Sequence, residues 1–551
     1  MNNTRLVLSA ILVFMLGYLA LSWARPLVVP DEPRYAVIPA EMLMRGDLVV
    51  PRLLGIEYFE KPVGGYWLVA GAMTVFGENA FAYRLPAIMS TGLTALLLGV
   101  FVRFATRRTD LAALSSMVYL TMFMVYLIGT SNILDAPFSA MVTGSMVFAF
   151  MGMEAESRRS RISALAVAGV FCGAAFLIKG FLAVVLPALV VGPYLLWNRR
   201  WMAMILVPWI PLIVAGVVIL PWAIMVHRDA PGFWHEFFWV EHVQRFTAPD
   251  GNQHDEPFWY FLPILLVAGM PWLLAAPASV RGWSSTDLGS TWFRFMACWF
   301  VMPFLFLSAS SGKLPTYILP IIPPFAIFLL IGLMQRFESG SRPFRRIDLV
   351  PGALLILAGL AILIEWPMGN LDLEPWGPGG DWRYLLLASG LAWWGLLDWV
   401  AVRTIQPDKR VLCMALSPLM ILATIPLLFP TGLVSERKAP MAFLAAHRSQ
   451  LAAAPVLYSN NHFAHAVALD AARMDLFILG DPSEFDTGRG KAEEEARLIS
   501  FEQFQVDLAK EGRKPFMLVT DKAGMSNLID SGVREPDEKI EGSRVVIATW
   551  D

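Results

Sequence analysis

MAMILVPWIPLIVAGVVILPWAIMV, residues 202–226, runs for 25 positions without a charged side chain. A segment this long crosses a hydrocarbon core of about 30 Å, and as a helix it satisfies its own backbone hydrogen bonds there. Outward from it, similar runs occupy 6–23, 86–102, 111–129, 136–152, 162–178 and 181–197 on one side. On the other they occupy 258–276, 295–308, 317–334, 349–364, 384–402 and 411–429. Together they predict an all-α polytopic membrane bundle of about 13 transmembrane helices, a few marginal in length. The first run follows Arg5 and lacks the short apolar region and small-residue cleavage site of a signal peptide, so it reads as a retained span.

The totals agree with the runs. Of 551 residues, 56% are hydrophobic and 16% charged, and the mean hydropathy is +0.56, too apolar for a soluble globular protein of this size. A net charge of −2 argues against nucleic acid as a partner. Cys172, Cys298 and Cys413 are widely spaced within apolar runs, which offers neither a disulfide framework nor a metal site.

Basic residues follow the even-numbered spans: Arg103, Arg107 and Arg108; Arg158, Arg159 and Arg161; Arg199 and Arg200; Arg281 and Arg294; Arg336, Arg342, Arg345 and Arg346; Arg403, Lys409 and Arg410. By the positive-inside rule these loops are cytoplasmic, which puts the N-terminus inside and the C-terminus outside. The opposite loops, 24–85 and 227–257, collect acids and histidines, and spacings such as Ile38, Met42 and Leu43 suit amphipathic helices lying in the interface. Near residue 433 the composition turns to that of a soluble protein, with short apolar runs such as 456–458, 474–479, 516–519 and 545–548 between charged stretches. The expected organisation is therefore a transmembrane domain over 1–432 with outer loops at 24–85 and 227–257, then an outer soluble α/β domain over 433–551. His462 and His465 form the only close histidine pair and read as a solvated helix face rather than a zinc site.

A transporter would string ionisable groups through mid-membrane, whereas an enzyme at the interface gathers them on one side. Here the spans are almost free of charge, and Asp135, Lys179 and Lys313 sit at predicted outer ends. Five outer segments thus face one expected cleft: Asp31 to Tyr35, Tyr58 to Lys61, Asp135, Glu241 to Arg245, and Lys313 to Tyr317. Asp31 and Glu32 read equally as a paired carboxylate above the membrane or as solvated loop acids, with Arg34 and Tyr35 beside them favouring a site. Lys61, fixed by Pro62 beside aromatics, suits a lipid phosphate as a point charge or snorkels to ordinary headgroups. Arg245 suits bidentate phosphate binding. Lys313 follows Gly312, which allows close backbone approach, but lacks P-loop spacing; interface anchoring is the alternative for both. Glu60 and His242 offer a place for a divalent cation such as zinc, although no cofactor is required. Trp234, Trp239 and Trp259 are candidates for sugar stacking or for interfacial anchoring.

Taken in order, Asp31-Glu32-Pro33-Arg34-Tyr35-Ala36, Tyr58-Phe59-Glu60-Lys61-Pro62, Gly129 to Asp135, Lys179-Gly180-Phe181-Leu182-Ala183, Phe233 to Phe246 and Gly312 to Leu319 resemble the lipid A aminoarabinose transferases. These are members of the GT-C membrane glycosyltransferase superfamily that also contains the protein O-mannosyltransferases. The resemblance covers nearly all of the membrane region. It implies transfer of 4-amino-4-deoxy-L-arabinose from undecaprenyl phosphate to lipid A phosphates, at the periplasmic face of a Gram-negative inner membrane, with polymyxin resistance as the outcome. It also implies a catalytic Asp31, with Lys61 and Arg245 as carrier-phosphate ligands. Asp135 and Glu60 would share the work of Asp31, and Lys313 would be a weaker third cation. Arg34, Tyr35, Tyr58, Lys179 and Tyr317 complete the expected substrate-binding set, in a chain expected to be a monomer among membrane lipids. The alternatives are a sister polyprenyl-phosphate transferase moving another sugar, such as a galacturonosyl or mannosyl unit, and a lipid transporter or flippase without catalysis.

Overall fold

The computed structural model describes residues 2–20, 22–23, 25–244, 256–283, 289–310, 312–339, 350–365, 382–424, 438–480, 497–510, 514–542 and 544–551. Among them, seven helices are long and apolar enough to cross a membrane: Ala80–Thr106, Asp135–Met153, Arg158–Lys179, Trp201–Asp229, Thr291–Ala309, Pro315–Glu338 and Arg383–Arg403. Two further helix pairs are apolar and long enough only when taken together, Thr109–Leu120 with Phe123–Gly129 bent by 69°, and Phe261–Ala268 with Trp272–Val280 bent by 93°. All 13 predicted runs contain helix. Among the described residues the full-length count is seven, or up to nine with the bent pairs, because helix Asn2–Ala20 falls outside that set, Leu182–Trp197 and Gly352–Glu365 are short, and the last run is described only as Pro407–Leu416 and Leu419–Thr424.

The breaks sit side by side and repair each other. The Phe123 N–H donates to the Met270 carbonyl at 2.9 Å, and the Trp272 indole N–H donates to Thr121 Oγ1 at 2.8 Å. Backbone groups freed at membrane depth need such partners, since lipid supplies none.

Burial separates lipid-facing helices from the bundle centre. In Trp201–Asp229 only 6% of the apolar window is buried, whereas 83% is in Pro315–Glu338. Trp201, Met202, Ile205, Trp209, Ile213 and Val217 are exposed, which suits contact with hydrocarbon tails.

The loop expected over 24–85 is itself structured. It holds helix Asp31–Arg45, a small hairpin of β1 (Arg52–Leu53) and β2 (Ile56–Glu57), and helix Gly64–Phe76. Beyond residue 438 lie β3 (Val456–Asn460), β4 (Phe477–Leu479), β5 (Leu498–Ile499), β6 (Phe516–Asp521), β7 (Glu538–Glu541) and β8 (Val545–Trp550). They form one sheet in the order β5-β4-β3-β6-β8-β7, parallel from β5 to β6 and antiparallel from β6 to β7. Helix Asn461–Ala471 crosses from β3 to β4, and its apolar face packs into the core with Phe463, Ala464 and Val467. His465 is fully buried on this helix, which corrects its expected place on a solvated face.

This sheet unit rests on the segment over 24–85. The Val29 N–H donates to the Lys438 carbonyl at 2.7 Å, and Leu469 and Met474 pack against the apolar cluster that includes Ala36 and Ala40 of helix Asp31–Arg45.

Candidate active site

Asp31 and Glu32 are adjacent in sequence and opposite in environment. The Asp31 side chain is 55% exposed and accepts a hydrogen bond from Arg34. Glu32 is buried and meets both Arg25 (2.8 Å) and Arg84 (2.8 Å). It also accepts the backbone N–H groups of Val28 and Asn132, each at 2.9 Å, and the Asn132 side-chain amide donates to its carbonyl at 2.9 Å. Burial alone would raise the Glu32 pKa, but the fields of Arg84 and Arg25 and the hydrogen bonds outweigh it and hold the carboxyl at about 2. The expected carboxylate pair is therefore split: Asp31 faces outward, and Glu32 ties the first loop to the ends of two other helical segments.

Sequence reasoning missed Arg25, Arg84 and Asn132. A signal was present in Arg84, a cation directly preceding the apolar run from Pro86, which calls for a buried partner.

Arg34 carries the network outward. One of its Nη atoms lies 3.3 Å from the Tyr58 hydroxyl and 3.9 Å from Glu60, and its guanidinium lies 5.4 Å from the Tyr35 ring centroid. The Tyr35 ring in turn stacks on Tyr66 at 6.2 Å. Glu60 accepts from the Tyr58 hydroxyl through one oxygen and from the Lys61 ammonium, at 2.8 Å, through the other. Lys61 thus stands at the rim with its charge held by a carboxylate.

The second half of the site uses helix ends. Lys179 closes helix Arg158–Lys179 and Asp135 opens helix Asp135–Met153, each at the terminus whose dipole favours its charge. They pair at 2.8 Å, nearly buried, and the Lys179 ammonium lies 5.3 Å from the centroid of Tyr317 and 5.8 Å from that of Phe138. The halves are joined by close approach. A Cβ on Gly64 would lie 2.8 Å from the Leu177 carbonyl oxygen, so only glycine lets the segment after Lys61 meet the end of the Lys179 helix. Asn132, three residues before Asp135, makes the second join through Glu32.

Aromatic packing fixes the second outer loop against the first. Phe233 meets Phe59 edge to face at 5.3 Å, and the Trp222 indole N–H donates to the Val49 carbonyl at 3.1 Å. Trp234 packs beside Trp222 and Phe233, while Trp239 and Trp259 are exposed.

The structure therefore brings together Asp31, Arg34, Tyr35, Tyr58, Glu60 and Lys61, and beside them Asp135, Lys179 and Tyr317. Lys313, expected at the surface, is 4% exposed and donates to the Glu256 carbonyl. Its neighbours in the chain continue into a tight helix over Pro315–Ile321, which draws the ammonium inward to a backbone partner. Arg245 and the side chain of His242 lie outside the described residues. Among the described residues no group of three metal-ligating side chains occurs.

A family model described as dolichyl-phosphate-mannose-protein mannosyltransferase matches residues 3–237, and one described as the C-terminal domain of arabinosyl transferase ArnT matches residues 435–549. The undecaprenyl phosphate-alpha-4-amino-4-deoxy-L-arabinose arabinosyl transferase of Photorhabdus laumondii is 34% identical, over 93% of both chains. The protein of the same name from Erwinia tasmaniensis is 33% identical, over 99% of both. The fold is similar to that of ArnT from Cupriavidus metallidurans solved with undecaprenyl phosphate, with a TM-score of 0.80 at 23% identity over 99% of this chain and 97% of that one. Its apo form gives 0.81 at 23% identity, over 100% and 98%.

Proposed function

The chain belongs to the undecaprenyl phosphate-alpha-4-amino-4-deoxy-L-arabinose arabinosyl transferases, and on that footing we propose that it transfers 4-amino-4-deoxy-L-arabinose from undecaprenyl phosphate to phosphate groups of lipid A. It is a multi-pass membrane glycosyltransferase. In this reading it works as a monomer at the periplasmic face of the inner membrane, with 13 crossings, a membrane domain over 1–432 and a periplasmic domain over 433–551. The alternation of basic loops supports that orientation. Masking lipid A phosphates would lower attraction for polymyxin and other cationic peptides.

One observation carries the proposal: Lys61 and Lys179 each pair with a carboxylate, and Gly64 brings the segment after Lys61, which also carries the exposed Asp31 upstream, against the end of the Lys179 helix. The reaction breaks the bond between the sugar C1 and the carrier phosphate oxygen and forms one from C1 to a lipid A phosphate oxygen. The leaving group is already a good one and the nucleophile is already ionised. Positioning and charge stabilisation therefore matter more than proton transfer. Lys61 and Arg245 take up the charge of the departing carrier phosphate. Asp31 orients the sugar or stabilises positive charge at C1, with Asp135 and Glu60 in support. Arg34, Tyr35, Tyr58, Lys179 and Tyr317 shape the surroundings, and Lys313 holds the Glu256 backbone. A cation such as zinc at Glu60 and His242 would compete with Lys61 and Tyr58 for the Glu60 carboxylate.

Purified protein in detergent, given aminoarabinosyl undecaprenyl phosphate and lipid A, should yield lipid A heavier by the amino sugar in mass spectra. Detergent abolishes compartments, so turnover there also separates an enzyme from a flippase. Unmodified lipid A from a folded protein that binds the donor would overturn the proposal.

A further inference from the structure

The hairpin that delivers Tyr58 to Lys61 turns through Leu54 and Gly55, both at positive φ, +56° and +88°. Two successive left-handed residues make the tight turn that suits strand twist, but a leucine there is strained, and such a turn needs outside support. Three supports are visible. The Leu54 side chain is fully buried. Glu41, itself buried and paired with Arg45 at 2.7 Å, accepts the Gly55 N–H at 3.1 Å. The third comes from 443 residues away: Arg497, at the edge of β5, donates to the Leu54 carbonyl at 2.7 Å and also to the Met474 carbonyl. A Cβ on Gly55 would lie 2.8 Å from the Arg497 guanidinium carbon.

Arg497 is anchored in the sheet, because its own carbonyl accepts the Ile478 N–H at 2.8 Å. We infer that the C-terminal sheet unit is a positioning element for the carrier-phosphate loop, with Arg497 as the positioning residue that locks the Leu54–Gly55 turn. The inference rests on the role proposed for Lys61. It assigns the C-terminal unit a share in donor binding without any contact of its own with the sugar.

The test uses the full-length protein in detergent and two readouts. Hydrogen exchange of peptides spanning 52–58 needs no substrate. In Arg497→Ala it should rise about tenfold, the scale of one lost charge-assisted hydrogen bond, while peptides of β3 and β6 stay protected. Gly55→Ala, which both crowds the Arg497 guanidinium and strains the turn at φ +88°, should also raise exchange there. In the transfer assay KM for the polyprenyl donor should rise about tenfold with a smaller change in kcat, and Arg497→Lys should recover part of it. Arg534→Ala, at the far edge of the sheet beside Asp537, should change neither readout. Unchanged exchange over 52–58 in Arg497→Ala overturns the inference, and so does loss of protection spread through the whole sheet in Arg497→Ala. Failure of wild-type protein to transfer aminoarabinose would strike the proposed function alone, since exchange is read without substrate.

Discussion

The segment over 24–85 builds two ion-pair clusters from similar residues, and they have opposite designs. Around Glu32, one buried carboxylate meets two arginines and two backbone amides, with only Arg25 keeping a small exposed surface. At the rim, Asp31, Glu60 and Lys61 keep 55%, 18% and 19% of their side-chain surface. A saturated buried cluster has nothing left to offer a ligand, and its removal strands charge. A partly solvated pair can exchange one partner for a phosphate at modest cost.

The largest effect should come from the buried cluster. Glu32→Ala leaves Arg25 and Arg84 without their shared carboxylate and should cost about 3–5 kcal/mol, read as a drop in Tm in detergent. Acid titration gives a second check on the same residue. Because the folded-state pKa is depressed, the stabilisation is fully present above the ordinary value near 4.5 and is lost as pH falls towards about 2. Wild type should lose stability across that window, while Glu32→Gln should lack this component and start from a lower level.

The rim should answer in activity rather than stability. Asp31→Asn and Lys61→Ala should each lower transfer by on the order of a hundredfold or more, with folding changed by less than about 1 kcal/mol. A Tm drop in Lys61→Ala as large as that of Glu32→Ala would erase the distinction between the clusters. Gly64→Ala lies between them. Its Cβ would press on a backbone carbonyl, so a cost of about 1–3 kcal/mol is expected together with slower transfer, since it separates Lys61 from the Lys179 helix. The smallest effect is expected from a metal chelator, which should leave turnover unchanged because the charge of the departing phosphate is taken up by Lys61 and Arg245 in the proposed reaction.

Much of this was legible in the sequence for a physical reason. Lipid forbids unpaired backbone and tolerates few charges, so runs such as 202–226 declare themselves, and the few ionisable groups at their ends mark the rim. The joining of Asp135 with Lys179, and of Tyr58 with Glu60 and Lys61, follows from that placement. What sequence spacing cannot convey is which of two neighbouring acids turns inward. Glu32 does so because Arg84, 52 residues away, and Arg25 wait there, and that choice is tertiary. The burial of Lys313, the bends that join Phe123 to Met270, and the clasp of Arg497 on Leu54 are likewise long-range pairings with no local pattern.

Direct binding of undecaprenyl phosphate to purified wild type and Lys61→Ala, both of unchanged Tm, tests the central claim with the fewest intermediates. The rim geometry predicts an affinity loss of about tenfold or more in Lys61→Ala, the scale of one charge-assisted contact to phosphate. Equal affinity in the two folded proteins would contradict it.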